Sequence, residues 1–102
     1  MFRGILSTIY LDLNKGVNIQ KLEKALNNEY LKSKFVKILK QNTLISTNQV
    51  INTNNCYLSI CKTKYKNRVI ILSAIDNLIK GGAGQAIQNM NLKFNFPETM
   101  GL

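Results

Sequence analysis

Residues 2–14 carry apolar side chains on both faces of an extended segment, and this restricts the fold more than any other feature of the chain. Ile5, Ser7, Ile9, Leu11 and Leu13 fall on one face, and Leu6, Thr8 and Tyr10 on the other, so a strand is expected over Phe2 to Asn14. A strand apolar on both sides needs cover from two directions. The 102 residues provide for one domain with one modest core.

Asn14-Lys15-Gly16 ends that strand as a turn. Asn18 suits a helix N-cap, and Ile19, Leu22, Ala25, Leu26 and Tyr30 then recur at helical spacing. Phe35 to Leu39 is a short strand candidate, and Gln41 to Asn55 reads as a long polar loop interrupted by Val50-Ile51. Tyr57 to Lys62 and Arg68 to Ile75 are two further strands joined by a turn at Thr63 to Asn67. A last helix, about 77–91, would carry Leu78, Ile79, Ala83, Ala86, Ile87 and Met90 as its apolar stripe. The tail from Asn95 to Thr99 is expected to run out as coil. The order β-α-β-β-β-α gives an α+β fold, a mixed sheet with helices on one side, in a single unit spanning residues 1–102.

Composition removes several chemistries. Histidine is absent, which excludes any dyad, triad or metal site needing an imidazole from this chain. Cys56 and Cys61 are too few for a disulfide framework or an all-cysteine zinc site. Five apart in one strand, they would point to opposite faces, and both read as small buried apolar residues. The carboxylates Asp12, Glu23, Glu29, Asp76 and Glu98 form no pair at helical or strand spacing. No complete active site is expected in this chain, and no metal.

The net charge of +9 would attract polyanions. Twelve of the fourteen basic residues are Lys, however, alongside fourteen Asn and twelve Ile, a trio that rises together under an A+T-rich codon bias. Arg, the side chain best suited to forked base and phosphate contacts, occurs twice. Nucleic acid is therefore not the expected partner, and a basic polyanion-binding module stands as the alternative. The longest apolar run, Val69 to Leu72, falls far below the roughly 20 residues of a membrane span. With no signal-peptide pattern at its start, the chain is expected to be cytoplasmic with free thiols.

One segment departs from helix-forming rules. Gly81, Gly82 and Gly84 crowd the first turns of the last helix, where each costs about 0.5–1 kcal/mol against Ala. They imply close approach of another backbone, helix or ligand. Asp76-Asn77 precedes them at the end of an apolar strand, with Lys80 nearby. Free N–H groups, an amide and an ammonium there suit an anionic or amide-bearing ligand, and a capping Asn with tightly packed glycines is the competing reading.

The stretch Ser73-Ala-Ile-Asp-Asn-Leu-Ile-Lys-Gly-Gly-Ala-Gly-Gln-Ala-Ile-Gln-Asn-Met-Asn91 closely resembles the C-terminal signature of the N-acetyl-gamma-glutamyl-phosphate reductases. Met1-Phe-Arg-Gly-Ile-Leu-Ser-Thr-Ile-Tyr10 resembles a second stretch of that family, Pro-Met-x-Arg-Gly-Ile-Leu-Ser-Thr-Ile-Tyr. Ser46-Thr47, Asn55-Cys56 and Glu98-Thr99-x-Gly101-Leu102 fit further family positions in the right order. The resemblance implies the C-terminal, glyceraldehyde-3-phosphate-dehydrogenase-like part of an NADP-dependent oxidoreductase of arginine biosynthesis. A related reductase acting on a carrier-bound substrate in lysine biosynthesis is a further alternative.

By the same resemblance, the dinucleotide-binding Rossmann portion, the nucleophilic Cys and the catalytic His lie upstream of the Arg-Gly-Ile motif. The chain is then a partial substrate and dimerisation domain, inactive by itself, whose partners are that upstream portion and a further copy. Its last helix would dock on the Rossmann portion, which gives the three glycines a purpose. Asn77, with Gly81 and Gly82, is the implied cofactor-side group, Asn77 meeting the nicotinamide carboxamide. Arg3 is the implied contact to the substrate's phosphate or carboxylate.

Overall fold

A computed structural model describes residues 3–102; the expected start of the first strand at Phe2 lies outside the described residues. The class is α+β. Strand β1 (Ile5–Asp12) is followed by helix α1 (Ile19–Glu29), strands β2 (Val36–Ile38), β3 (Cys56–Lys62) and β4 (Arg68–Ile75), and helix α2 (Gly84–Lys93). The sheet order is β1-β4-β3-β2. β1 and β3 flank β4 antiparallel, while β2 runs parallel to β3, so the sheet is mixed.

Register assigns the faces, because residues paired across strands share a side. Ile9, Ile71 and Ile60 form one row, and Leu11, Val69 and Lys62 the next. Over these rows lies α1, burying Ile60, Val69 and Ile71 beneath Ile19, Leu22 and Leu26. Asn18 caps that helix as the sequence implies, its Oδ1 accepting from the Lys21 N–H at 2.9 Å. The opposite face, carrying Tyr57, Leu72 and Ala74, is covered by the long connection between β2 and β3. This connection is more ordered than its polar composition suggests. Ser46 caps a 3₁₀ turn at Thr47–Gln49, and the turn drives Val50 and Ile45 into the second core cluster.

Three expectations need correction. Cys56 and Cys61 are free thiols on opposite faces, but each is only half-buried; Cys56 Sγ lies 3.6 Å from Ser73 Oγ and Cys61 Sγ 3.9 Å from Ser59 Oγ. The apolar stripe proposed for the last helix is not its buried face: Leu78 and Met90 are exposed, and Gly84, Gln88 and Asn91 are buried instead. Partners make this burial tolerable for both amide groups of Gln88 and for the Asn91 NH₂, while Asn91 Oδ1 is enclosed without a hydrogen-bond partner among the described residues. Gln88 Oε1 accepts from Asn54 Nδ2 at 2.9 Å and Lys80 Nζ at 2.6 Å, and Gln88 Nε2 donates to Glu98 at 2.9 Å. Nor does the tail run out as coil. Asn91 Nδ2 donates to the carbonyls of Glu98 and Met100, folding residues 96–100 back onto α2.

Candidate functional site

The backbone ladder between β1 and β4 ends at the Ile5–Ile75 pair, and beyond it side chains take over the cross-linking. Arg3 Nη2 lies 2.9 Å from Asp76 Oδ2, and the Gly4 N–H donates to Asn77 Oδ1 at 2.7 Å. Gly4 has φ of +104°, and a Cβ there would lie 2.7 Å from Thr47 Cβ, so both conformation and space demand glycine. The 3₁₀ turn, the start of β1 and the end of β4 thus meet at one point.

Asp76 is the centre of that junction. It is wholly enclosed, with 0% of its surface exposed. Oδ2 also accepts from the Asn52 N–H at 2.7 Å, and Oδ1 accepts from the N–H groups of Leu78 and Ile79 at 2.8 and 3.2 Å. Burial pushes its pKa up, but the Asn52, Leu78 and Ile79 N–H groups and the Arg3 guanidinium outweigh this and hold the carboxyl at about 2. The capping role that competed for Asn77 therefore falls to its neighbour. Asn77 is half-buried, and the Gly4 N–H fixes its amide orientation by requiring an oxygen as acceptor, which leaves the NH₂ outside that bond.

Past Asn77 the chain makes a π-helical turn, Ile79–Ala83, closed by the Gly81 N–H to the Asp76 carbonyl at 2.9 Å and the Ala83 N–H to the Leu78 carbonyl at 2.9 Å. Such turns inside helices mark functional sites often enough to be informative. Gly82, with non-helical φ/ψ of −148° and −115°, kinks the chain inside this turn, just ahead of α2. Gly81 and Gly82 are both exposed. A Cβ on Gly82 would lie 3.3 Å from the Asn77 carbonyl oxygen, and one on Gly81 3.2 Å from Ile75 Cδ1. Gly84 differs from them. A Cβ there would overlap Asn54 Oδ1 and lie 2.6 Å from Ile79 Cγ2, so this glycine is required by the chain's own loop rather than by an outside partner.

Lys80 also departs from the sequence reading. Its ammonium turns inward, 2.6 Å from Gln88 Oε1 and 5.5 Å over the Phe35 ring, rather than standing beside Asn77 to receive an anion. Desolvation lowers its pKa, opposed by the nearby Cys56 and Glu98. Arg3 is likewise committed to Asp76, and its Nε is enclosed without a hydrogen-bond partner among the described residues. The junction brings Arg3 and Asn77 together, with Gly81 and Gly82 following on the same turn.

The sequence profile described as "semialdehyde dehydrogenase, dimerisation domain" matches residues 1–77. The chain belongs to that family. Among curated relatives, the N-acetyl-gamma-glutamyl-phosphate reductase of Vesicomyosocius okutanii subsp. Calyptogena okutanii (strain HA) is 49% identical over all 102 residues, which cover 28% of the relative. The enzyme of the same name from Halothermothrix orenii is 45% identical over the whole chain and 29% of its own length. A probable chloroplastic N-acetyl-gamma-glutamyl-phosphate reductase of Arabidopsis thaliana is 41% identical, with 25% of its length covered. The chain thus spans under a third of these relatives. The family match reaches the Asp76-Asn77 pair and stops there, while the similarity to the reductases continues through α2 and the tail.

Asp76 is the site residue that sequence reasoning missed. The visible signal was its position at a strand end before an amide, which reads only as a cap. Among the described residues no cluster of three or more His, Cys, Asp or Glu could hold a metal, and no helix is long and apolar enough to cross a membrane.

Proposed function

We propose that this chain is the substrate-domain segment of an NADPH-dependent N-acetyl-gamma-glutamyl-phosphate reductase of arginine biosynthesis, inactive without the upstream portion and working as an oligomer in the cytoplasm. The observation that carries the reading is identity of 49% along the full 102 residues to a reductase of that name. In the reaction so proposed, a cysteine thiolate of the upstream portion displaces phosphate from N-acetyl-glutamyl phosphate to give a thioester. Two-electron reduction and protonation then release the semialdehyde and regenerate the thiol. When bound, NADPH supplies the hydride.

On this chain, Asn77 would hold the nicotinamide carboxamide through its NH₂, which the Gly4 contact leaves available in a fixed orientation. Gly81 and Gly82, exposed on the following turn, would let the cofactor and the Rossmann portion approach the backbone. The exposed Leu78 ahead of the turn and Met90 on α2 would offer apolar surface to that portion.

Phosphate-dependent NADP reduction with N-acetyl-glutamate semialdehyde tests the reading. The purified chain is expected to be inactive, and a full-length reductase carrying this segment active. Asn77→Ala in that enzyme should raise the KM for NADPH about threefold to tenfold, the loss of one neutral hydrogen bond. Asn77→Asp should be as damaging, since it removes the amide donor. Activity of the isolated chain, or an inactive full-length enzyme, would overturn the proposal.

A further inference from the structure

We infer that Arg3 and Asp76 are a positioning pair for the Asn77 carboxamide, with Arg3 acting through Asp76 and not on an anionic substrate. The inference rests on the cofactor reading of Asn77 for its kinetic consequence, though not for its geometry. Arg3-Gly4 and Asp76-Asn77 are two dipeptides at the ends of adjacent strands, and they are linked twice. One link is the ion pair at 2.9 Å; the other is the Gly4 N–H to Asn77 Oδ1 at 2.7 Å. Continued past the Ile5–Ile75 pair, the register would set Gly4 opposite Asp76 and Arg3 opposite Asn77, so the two links cross.

Asp76 has no surface exposed, and the N–H groups of Asn52, Leu78 and Ile79 approach it along with Arg3. A buried carboxylate stripped of its cation is costly, so removing the guanidinium favours movement of Asp76 toward water. Leu78 and Ile79 are held through Oδ1, and Asn77 lies between them and Asp76 in the chain. Any shift of the carboxylate therefore moves Asn77 and loosens its bond to Gly4. Arg3 is poorly placed for a dissolved anion. One edge of its guanidinium is committed to Asp76, its Nε is enclosed, and its side chain is 26% exposed.

The test uses Arg3→Gln, Arg3→Lys, Asn77→Ala and the Arg3→Gln/Asn77→Ala double variant in a full-length reductase carrying this segment. Amide hydrogen exchange is measured on the chain itself. Arg3→Gln should raise the KM for NADPH about threefold to tenfold and leave the KM for the acyl phosphate within about twofold. Its effect should nearly vanish in the Asn77→Ala background, because residues acting as one unit are non-additive. Arg3→Lys, which keeps the charge, should restore most of the loss. In the chain, Arg3→Gln should speed exchange at the Gly4 and Leu78 amides about tenfold while the β3–β4 amides stay protected. A raised KM for the acyl phosphate with that for NADPH unchanged, or full additivity with Asn77→Ala, would overturn the positioning role. If Asn77→Ala is kinetically silent, the cofactor reading fails by itself and the exchange data decide the pair: unchanged Gly4 and Leu78 amides overturn it, accelerated ones uphold it.

Discussion

Four donors converge on Asp76, and its low pKa has a defined consequence for stability. The carboxyl titrates at about 2 in the folded chain against 3.8 in the unfolded one. A group whose folded pKa is depressed stabilises above its unfolded pKa and loses that contribution as pH falls through the folded one. Thermal unfolding followed from pH 5 downward should thus show the midpoint dropping between about pH 4 and pH 2. Asp76→Asn should unfold at lower temperature at pH 7 and show a shallower fall across that window. An acid limb equally steep in both proteins would remove Asp76 as its source. The sequence could not show this clasp, since Asn52 and Arg3 lie far from Asp76 along the chain and nothing in either residue type marks a partner. Asn18 was legible because its bond to Lys21 is local, three residues away.

The regular elements were readable where one physical rule dominated. Short apolar segments bounded by turn residues located β1, β3 and β4, and the 3.6-residue period with its cap located α1. The β2–β3 connection and the last helix were less so, because tertiary contacts decide them. Val50 is buried through a local 3₁₀ turn, and α2 buries amides whose partners Asn54 and Glu98 belong to other segments. The glycines separate in the same way. Gly84→Ala should destabilise the chain by about 1–3 kcal/mol, the cost of overpacking, because the Cβ would meet Asn54 Oδ1 and the Ile79 backbone. Gly81→Ala should stay within about 1 kcal/mol of the parent, as its Cβ meets a terminal methyl of Ile75 that can rotate away and Ala favours the helical turn. Urea unfolding of the two variants checks the contrast, and equal losses would place the packing demand elsewhere.

At the scale of the molecule, the two-faced apolar strand has ended up at the sheet edge. Ile5 and Ile9 are exposed on one side and Leu6 and Tyr10 on the other, at 41–70% of their surface. An edge of this kind pairs readily with another chain. The isolated chain should accordingly self-associate, with an average mass in sedimentation equilibrium that rises with concentration. A monomer at every concentration would show that the strand tolerates water. The same topology sets an order of events during synthesis. β1 leaves the ribosome well before β4, its neighbour in the sheet among the described residues, whose last residue, Ile75, follows Asp12 by 63 positions. At about 5–20 residues per second, the strand waits roughly 3–13 s for its partner, and in that interval a chaperone is the natural occupant of its apolar surface.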